Sequence, residues 1–279
     1  MKLFTHEVNM QEPTLDHPIS QMCTQNQFNN DIYVDWCKKM ANEPRYHRKQ
    51  WEFVYIAQVL KTHSMLASGK KGLGFGVGQE PLPALFASFG CNILATDVAV
   101  EEAVGKKWAK VGQHLGNVNQ VPFQGICEEE IFFSLVEFRA QDMNAIEPDL
   151  QQGEFDFAWS ACALEHLGSI KHGLDFIRNT LNCVKKGGLV VHTTEFNVSS
   201  NIFTIDNNPT TVLFRKRDLM GLIKQLRKEA YIIDINWHSG DQPLDKYVDM
   251  PPYKEDPHLK LKLGRYVSTS IGIVVQKPK

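Results

Sequence analysis

Four glycines in seven residues, Gly72, Gly74, Gly76 and Gly78, sit between a short apolar run and a helix-forming stretch that opens near Pro81, in the order Lys71-Gly72-Leu73-Gly74-Phe75-Gly76-Val77-Gly78-Gln79-Glu80-Pro81. Glycine adopts positive φ and lets the backbone approach a neighbour closely, and a helix start presents unpaired N–H groups. Such a strand-turn-helix unit therefore suits a polar or anionic ligand head, of which a nucleotide is the natural example. A tight turn with no ligand is the competing reading. The spacing is G-x-G-x-G, and Gln79 stands where a dinucleotide fingerprint carries its third glycine, which weakens an NAD or FAD reading.

The rest of the chain alternates short apolar runs with longer amphipathic ones. Strands are expected at residues 72–76, 92–96, 135–140, 155–160, 188–194, 231–237 and 268–276, and helices at 80–88, 101–114, 170–183 and 215–228. Strands alternating with helices imply parallel pairing and a sheet covered on both faces. Ahead of them, Ile32, Trp36 and Met40, then Trp51, Val54, Tyr55, Val59 and Leu60, recur at helical spacing on either side of Pro44. Residues 1–30 are polar and aperiodic, either loose or held from elsewhere, as an arm or lid. The expectation is an α/β fold: a Rossmann-like, seven-stranded, mostly parallel sheet, with an N-terminal arm and helical cap over 1–50 and one ligand-binding domain over 51–279. The last two strands are joined by residues 239–267, which hold Pro243, Pro251, Pro252 and Pro257; this connection can return a strand antiparallel, and the stretch at about 238–267 is expected to cover the substrate.

Composition narrows the partners. In 279 residues, 43% hydrophobic and 22% charged, 30 Lys and Arg face 32 Asp and Glu for a net charge of -2, so no overall field draws in a polyanion and no nucleic-acid partner is expected. The six cysteines form no C-x-x-C pair and read as free thiols in a reducing compartment. With neither a signal-like h-region nor an apolar run of about 18 residues, no membrane partner is expected and a cytoplasmic location is. The oligomeric state is not readable.

Two acidic positions extend the glycine signal. Asp97 ends the second expected strand about 20 residues after the glycines, where a carboxylate can accept from ribose hydroxyls; alone, such a residue would more often cap a helix. Asp142 follows the third strand, where its carboxylate and the Met143 N–H suit an adenine edge, with Met143 or Trp108 packing the ring face. Three features at the C-terminal ends of three successive strands define a crevice at a topological switch point.

On these residues, together with Phe155-Asp156-Phe157-Ala158-Trp159-Ser160, Leu164-Glu165-His166 and the turn Val184-Lys185-Lys186-Gly187-Gly188, the sequence resembles the class I S-adenosylmethionine-dependent methyltransferases over roughly 51–194. The resemblance implies S-adenosylmethionine as cofactor, held by Gly74, Phe75, Gly76, Gly78, Glu80, Asp97, Asp142, Met143 and Ser160. One departure is Gly72, where many members carry an acidic residue; Glu80 is the candidate substitute. Methyl transfer to a hydroxyl needs alignment and a proton acceptor, and His166, Glu165, Glu195 and His192 are the candidates beyond the fourth and fifth strands. His166 has the intrinsic pKa of a base, with Glu165 or Glu195 to orient it, although a Glu-His pair there can also only cap or pack. Leu164-Glu165-His166 also looks like the segment of ubiquinone-biosynthesis O-methyltransferases associated with a divalent ion. Here the further upstream acid is replaced by Cys162, so Mg or Mn, with His192 or Glu195 completing the site, is an option and not the expectation.

Arg45, His47, Arg48 and Lys49 read as a solvated basic face. Trp237, Tyr247, Tyr253 and Tyr266 read equally as sugar-stacking or as packing residues. The expected function is O-methylation of a small polar acceptor, such as a sugar hydroxyl of a bacterial glycan or a related metabolite. An NAD-dependent oxidoreductase and a non-catalytic cofactor-binding scaffold subunit are the alternatives.

Overall fold

The computed structural model describes residues 11–99, 101 and 114–279. Its elements run β1 (Gln21–Met22), α1 (Gln25–Phe28), α2 (Asp31–Lys39), α3 (Arg48–Thr62), β2 (Lys71–Phe75), α4 (Leu82–Ser88), β3 (Asn92–Asp97), α5 (Glu129–Leu135), β4 (Val136–Ala140), β5 (Phe155–Ala161), α6 (Ile170–Cys183), β6 (Val184–Asn197), α7 (Lys216–Lys228), α8 (Pro243–Lys246), β7 (Leu261–Leu263) and β8 (Tyr266–Gln276). The helix expected over 101–114, Trp108 included, falls almost wholly outside the described residues.

The strands form one sheet in the order β1-β8-β6-β5-β2-β3-β4, with β7 paired to β8. From β4 through β6 all pairs are parallel, and β8 enters antiparallel to β6 over nine residues. The chain steps outward from β2 to β4, returns, and steps the other way from β5 to β6. This is an open, mostly parallel α/β sheet of the Rossmann-like kind, and it leaves a crevice between the carboxyl ends of β2 and β5, where the direction reverses.

Period-two alternation sorts side chains to the two faces. Phe157, Trp159, Leu189 and Val191 face the layer of α3, α4 and α5, while Ala158, Val190, Ile273 and Val275 face α6 and α7. Both faces are covered, so β5 and β6 are buried almost throughout. Local caps set the helix starts: the Asn30 Oδ1 accepts from Ile32 N (2.8 Å), the His47 Nδ1 from Lys49 N (3.1 Å) and the Ser169 Oγ from His172 N (3.1 Å).

The sheet has eight strands where seven were expected, and its edge differs. Residues 231–237 do not form a strand. Ile232 bridges only the end of β8 at Gln276, because the middle of that edge, Ile271 and Gly272, is taken by β1, and Ile235 bridges Ser20 instead. The described part of the N-terminal arm is thus held by the sheet. Gln27 reinforces it, donating to the Met22 carbonyl (2.8 Å) and accepting from the Trp51 indole (2.9 Å). Among the described residues no helix is long and apolar enough to cross a membrane.

Tyr55 of α3 lies directly over Gly272 of β8, so a Cβ there would come 2.0 Å from the ring, and the Tyr55 hydroxyl donates to the Ile19 carbonyl (2.7 Å). Gly272→Ala is therefore expected to lower the unfolding free energy by about 1–3 kcal/mol through overpacking, measured by urea denaturation.

Candidate active site

A cavity of about 480 Å³ occupies the crevice, within the size range of small-molecule and cofactor sites. Its first wall is built from the turn after β2 and the ends of β3 and β4. Gly76 and Gly78 hold φ of +57° and +56°, and a Cβ on Gly76 would stand 3.0 Å from both Ala163 Cβ and Met143 Sδ. The turn is fixed to the neighbouring strand: Val77 N donates to the Thr96 carbonyl (3.1 Å) and Gly78 N to Asp97 Oδ2 (3.1 Å). Asp97 also accepts from the backbone N–H groups of Leu115 (3.0 Å) and Val98 (2.8 Å). Burial raises its carboxyl above the usual range, with those three bonds pulling the other way.

Asp142 and Met143 line the same wall, and the Asp142 Oδ1 accepts from Asn144 N (2.8 Å). Glu80, just past the turn, is buried and accepts from the Trp159 indole (2.8 Å). Burial pushes its carboxyl up to about 8.

The opposite wall comes from the start of α3 and the ends of β5 and β6, and it is charged. Arg48 pairs with Glu195 and donates to Ser270 Oγ (3.1 Å). Lys49 donates to the Ala161 carbonyl (2.8 Å) and lies 3.5 Å from Glu52. Glu165 accepts from the Cys162 thiol (2.6 Å) and from the Thr194 hydroxyl (2.8 Å). Ser268 donates to Glu195 and Ser270 to Glu52. Burial works against the charge on Arg48, but the groups around it, Glu195 first and then Cys162, Glu52 and Glu165, together outweigh it and hold the guanidinium protonated beyond its ordinary range. Burial likewise lifts the Glu195 carboxyl and, strongly, the Cys162 thiol. Cys162 itself sits at φ +56° where the chain leaves β5, a left-handed conformation rarely adopted by a residue with a side chain.

Two imidazoles line the cavity with opposite hydrogen-bonding sense. Nδ1 of His166 lies 2.6 Å from the Thr210 carbonyl, which only accepts, so this nitrogen carries the proton and the lone pair of the neutral ring is on Nε2. Nδ1 of His47 accepts from Lys49 N, so its Nε2 carries the proton; burial pushes this ring down to about 4 and keeps it neutral.

Of the residues expected from the sequence, Gly76, Gly78, Glu80, Asp97, Asp142, Met143, Glu165, His166 and Glu195 line this one cavity. Four do not. A Cβ on Gly74 would strike Trp159 at 2.4 Å, so that glycine serves packing over the sheet. Phe75 is buried edge-on against Phe176.

Ser160 and His192 are buried register partners on the α6 face, away from the cavity. The His192 ring lies between Ser160 Oγ (2.9 Å) and Thr180 Oγ1 (3.1 Å), and burial pushes it down to about 3, so it is a core group and not a base. The basic stretch is corrected the other way. Arg45 alone is solvated, beside Glu255, whereas His47, Arg48 and Lys49 line the cavity.

None of Trp237, Tyr247, Tyr253 and Tyr266 is among the lining residues, where the aromatic contribution is Phe53. Trp237 packs on Phe196, and Tyr253 meets His258 edge-on. His258 in turn stacks on His47 at 4.8 Å, which is how residues 238–267 back the charged wall.

No model of a known protein family matches the chain, and no curated protein does. Solved structures with related architecture exist. A 1,6-didemethyltoxoflavin-N1-methyltransferase from Burkholderia thailandensis matches at 13% identity over 82% of this chain and 79% of that one, with a TM-score of 0.47. A methyltransferase dependent on S-adenosylmethionine from Methanosarcina mazei matches at 14% over 78% and 97%, with a TM-score of 0.46. A protein provisionally described as a sarcosine dimethylglycine methyltransferase from Galdieria sulphuraria matches at 20% over 53% of this chain and 46% of that one, with a TM-score of 0.36, so this chain spans less than half the length of that protein.

His192 stays neutral when folded and takes up a proton when unfolded. Its contribution to stability is complete above its ordinary value near 6.5 and is lost as pH falls toward about 3. His192 is expected to add about 1.4 kcal/mol per pH unit to the slope of stability below pH 6, so His192→Gln should reduce the slope measured by urea unfolding by about that amount.

Proposed function

We propose that this chain is a methyltransferase dependent on S-adenosylmethionine that O-methylates a small polar acceptor, such as a sugar hydroxyl of a glycan or related metabolite. The observation that carries the reading is the convergence of the Gly76-Val77-Gly78 turn, Asp97 and Asp142-Met143 on one wall of a single cavity whose other wall is polar. The Gly76 cradle, which a Cβ would fill, fits a ligand that approaches the backbone closely. Asp97 is the candidate for the ribose hydroxyls, Asp142 and Met143 for the adenine, and Glu80 for the cationic methionine end.

The cofactor supplies an electrophilic methyl group when bound; the protein's work is to align the acceptor and remove its proton. His166 fits the second task, because the Thr210 carbonyl fixes the tautomer with its lone pair on Nε2. Glu165 and Glu195 are held rigid by their own partners and suit the orientation of acceptor hydroxyls. The acceptor wall carries two cations, Arg48 and Lys49, beside the three carboxylates of Glu52, Glu165 and Glu195. That balance favours an uncharged, hydroxyl-rich acceptor over an anionic one, and Phe53 offers an apolar face for a ring.

Isothermal titration of S-adenosylhomocysteine tests the cofactor assignment: micromolar binding lost in Asp97→Ala is expected, and no binding contradicts it. If Glu80 meets the ammonium end, binding below about pH 8 must release its proton. Affinity should then rise between pH 6.5 and 8, with an enthalpy that depends on buffer ionisation, and Glu80→Gln should remove both effects. With the cofactor assignment in hand, transfer to hydroxyl acceptors in a sugar and metabolite panel is expected; transfer only to an amine, thiol or protein contradicts O-methylation.

A further inference from the structure

Cys162, Glu165 and Glu195 present ligand-type atoms within 4.8 Å of one another at the ends of β5 and β6, the one such trio among the described residues. A trio of this kind is built like a divalent-metal site, yet a cation of the protein's own already stands among its members. The Arg48 guanidinium pairs with Glu195, lies 3.7 Å from Cys162 Sγ and 3.6 Å from Glu52 Oε1, and reaches Ser270 as well. It does so with its Nε–H buried and unpartnered, so charge more than complete hydrogen bonding sets its place.

Charge arithmetic points the same way. Arg48 and Lys49 face Glu52, Glu165 and Glu195, two against three; adding a divalent ion would overcompensate, whereas removing Arg48 leaves one against three, the deficit a divalent ion fills. The remaining donors are committed too. Glu165 already accepts from the Cys162 thiol and from the Thr194 hydroxyl, one on each carboxylate oxygen. The donor set therefore does not fit a divalent ion while Arg48 is in place.

We propose that Arg48 is a built-in replacement for a divalent cation: it occupies the Cys162–Glu165–Glu195 cluster, positions Glu195 on the acceptor wall, and makes the site metal-independent, so that the cluster becomes a metal site only when the guanidinium is removed. The inference uses the proposed methyltransferase reading only to place the cluster beside the acceptor; metal binding itself is independent of it.

The test titrates Mn²⁺, followed by the loss of its free paramagnetic resonance signal, and Zn²⁺, followed by calorimetry, into the intact chain and its Arg48→Gln, Arg48→Lys and Glu165→Gln variants. The wild type and Arg48→Lys are expected to bind neither ion stoichiometrically. Arg48→Gln is expected to take up one equivalent about 100-fold more tightly than the wild type and to lose it when Glu165→Gln is added. Stoichiometric binding by the wild type that Glu165→Gln abolishes, or a folded Arg48→Gln that binds no better than the wild type, overturns the proposal. Should Arg48→Gln fail to fold, the wild type and Glu165→Gln decide it alone: a shared absence of binding supports the proposal and a Glu165-dependent site defeats it. Titration of S-adenosylhomocysteine into the same samples reports separately on the methyltransferase reading.

Discussion

A charge taken out of water has to be met by an opposite charge or it costs several kcal/mol, and in this fold that requirement falls on Arg48. Its guanidinium is answered from three directions: Glu195 near the end of β6, Ser270 on β8, and Glu52 one turn further along its own helix. Because Glu195 and Ser270 belong to the sheet, the helix that carries Arg48 is locked to the strand ends. The backbone adds to the lock through Arg48 N donating to the His258 carbonyl (3.0 Å), and packing adds the Tyr55 ring over Gly272. The N-terminal cap is thereby a wall of the cavity, not an appendage to the sheet.

The two walls are made by different physics. The wall of the glycine turn depends on backbone geometry: two positive-φ glycines, a carboxylate tied down by three N–H groups, and strand ends set in parallel register. The opposite wall depends on electrostatics within a low-dielectric recess, where each carboxylate is immobilised by a hydroxyl, a thiol or a guanidinium. Rigid, pre-paired groups of this kind hold an acceptor in place without reorganising. The His47–His258 stack and the Asp249 carboxylate behind it, 2.7 Å from His258 Nδ1, support the charged wall from outside.

The wall of the glycine turn was legible in the sequence as one side of a cavity because its signals are local. Glycine spacing, an acid at a strand end and apolar periodicity each span a few residues, and they locate β2, β3, β5 and α6 within a residue or two. Of the charged wall, Glu165, His166 and Glu195 were legible but His47, Arg48 and Lys49 were not, because Arg48 and Glu195 are far apart in sequence and a run such as Arg45-Tyr46-His47-Arg48-Lys49 has the composition of a solvated face. Period two shows that His192 and Glu195, an odd number of residues apart on one strand, point to opposite faces, so the two could not serve one site together. The edge strand over 231–237 failed for a topological reason, since β1, a two-residue strand with no periodic signal, holds the place beside β8.

The most direct test of the account is a crystal structure of the protein with S-adenosylhomocysteine. The account predicts the ribose against Asp97, the adenine beside Asp142 and Met143, and the sulfur facing the wall of Glu165, His166 and Glu195. A ligand bound elsewhere, or bound in this cavity with its sulfur turned away from that wall, would contradict it.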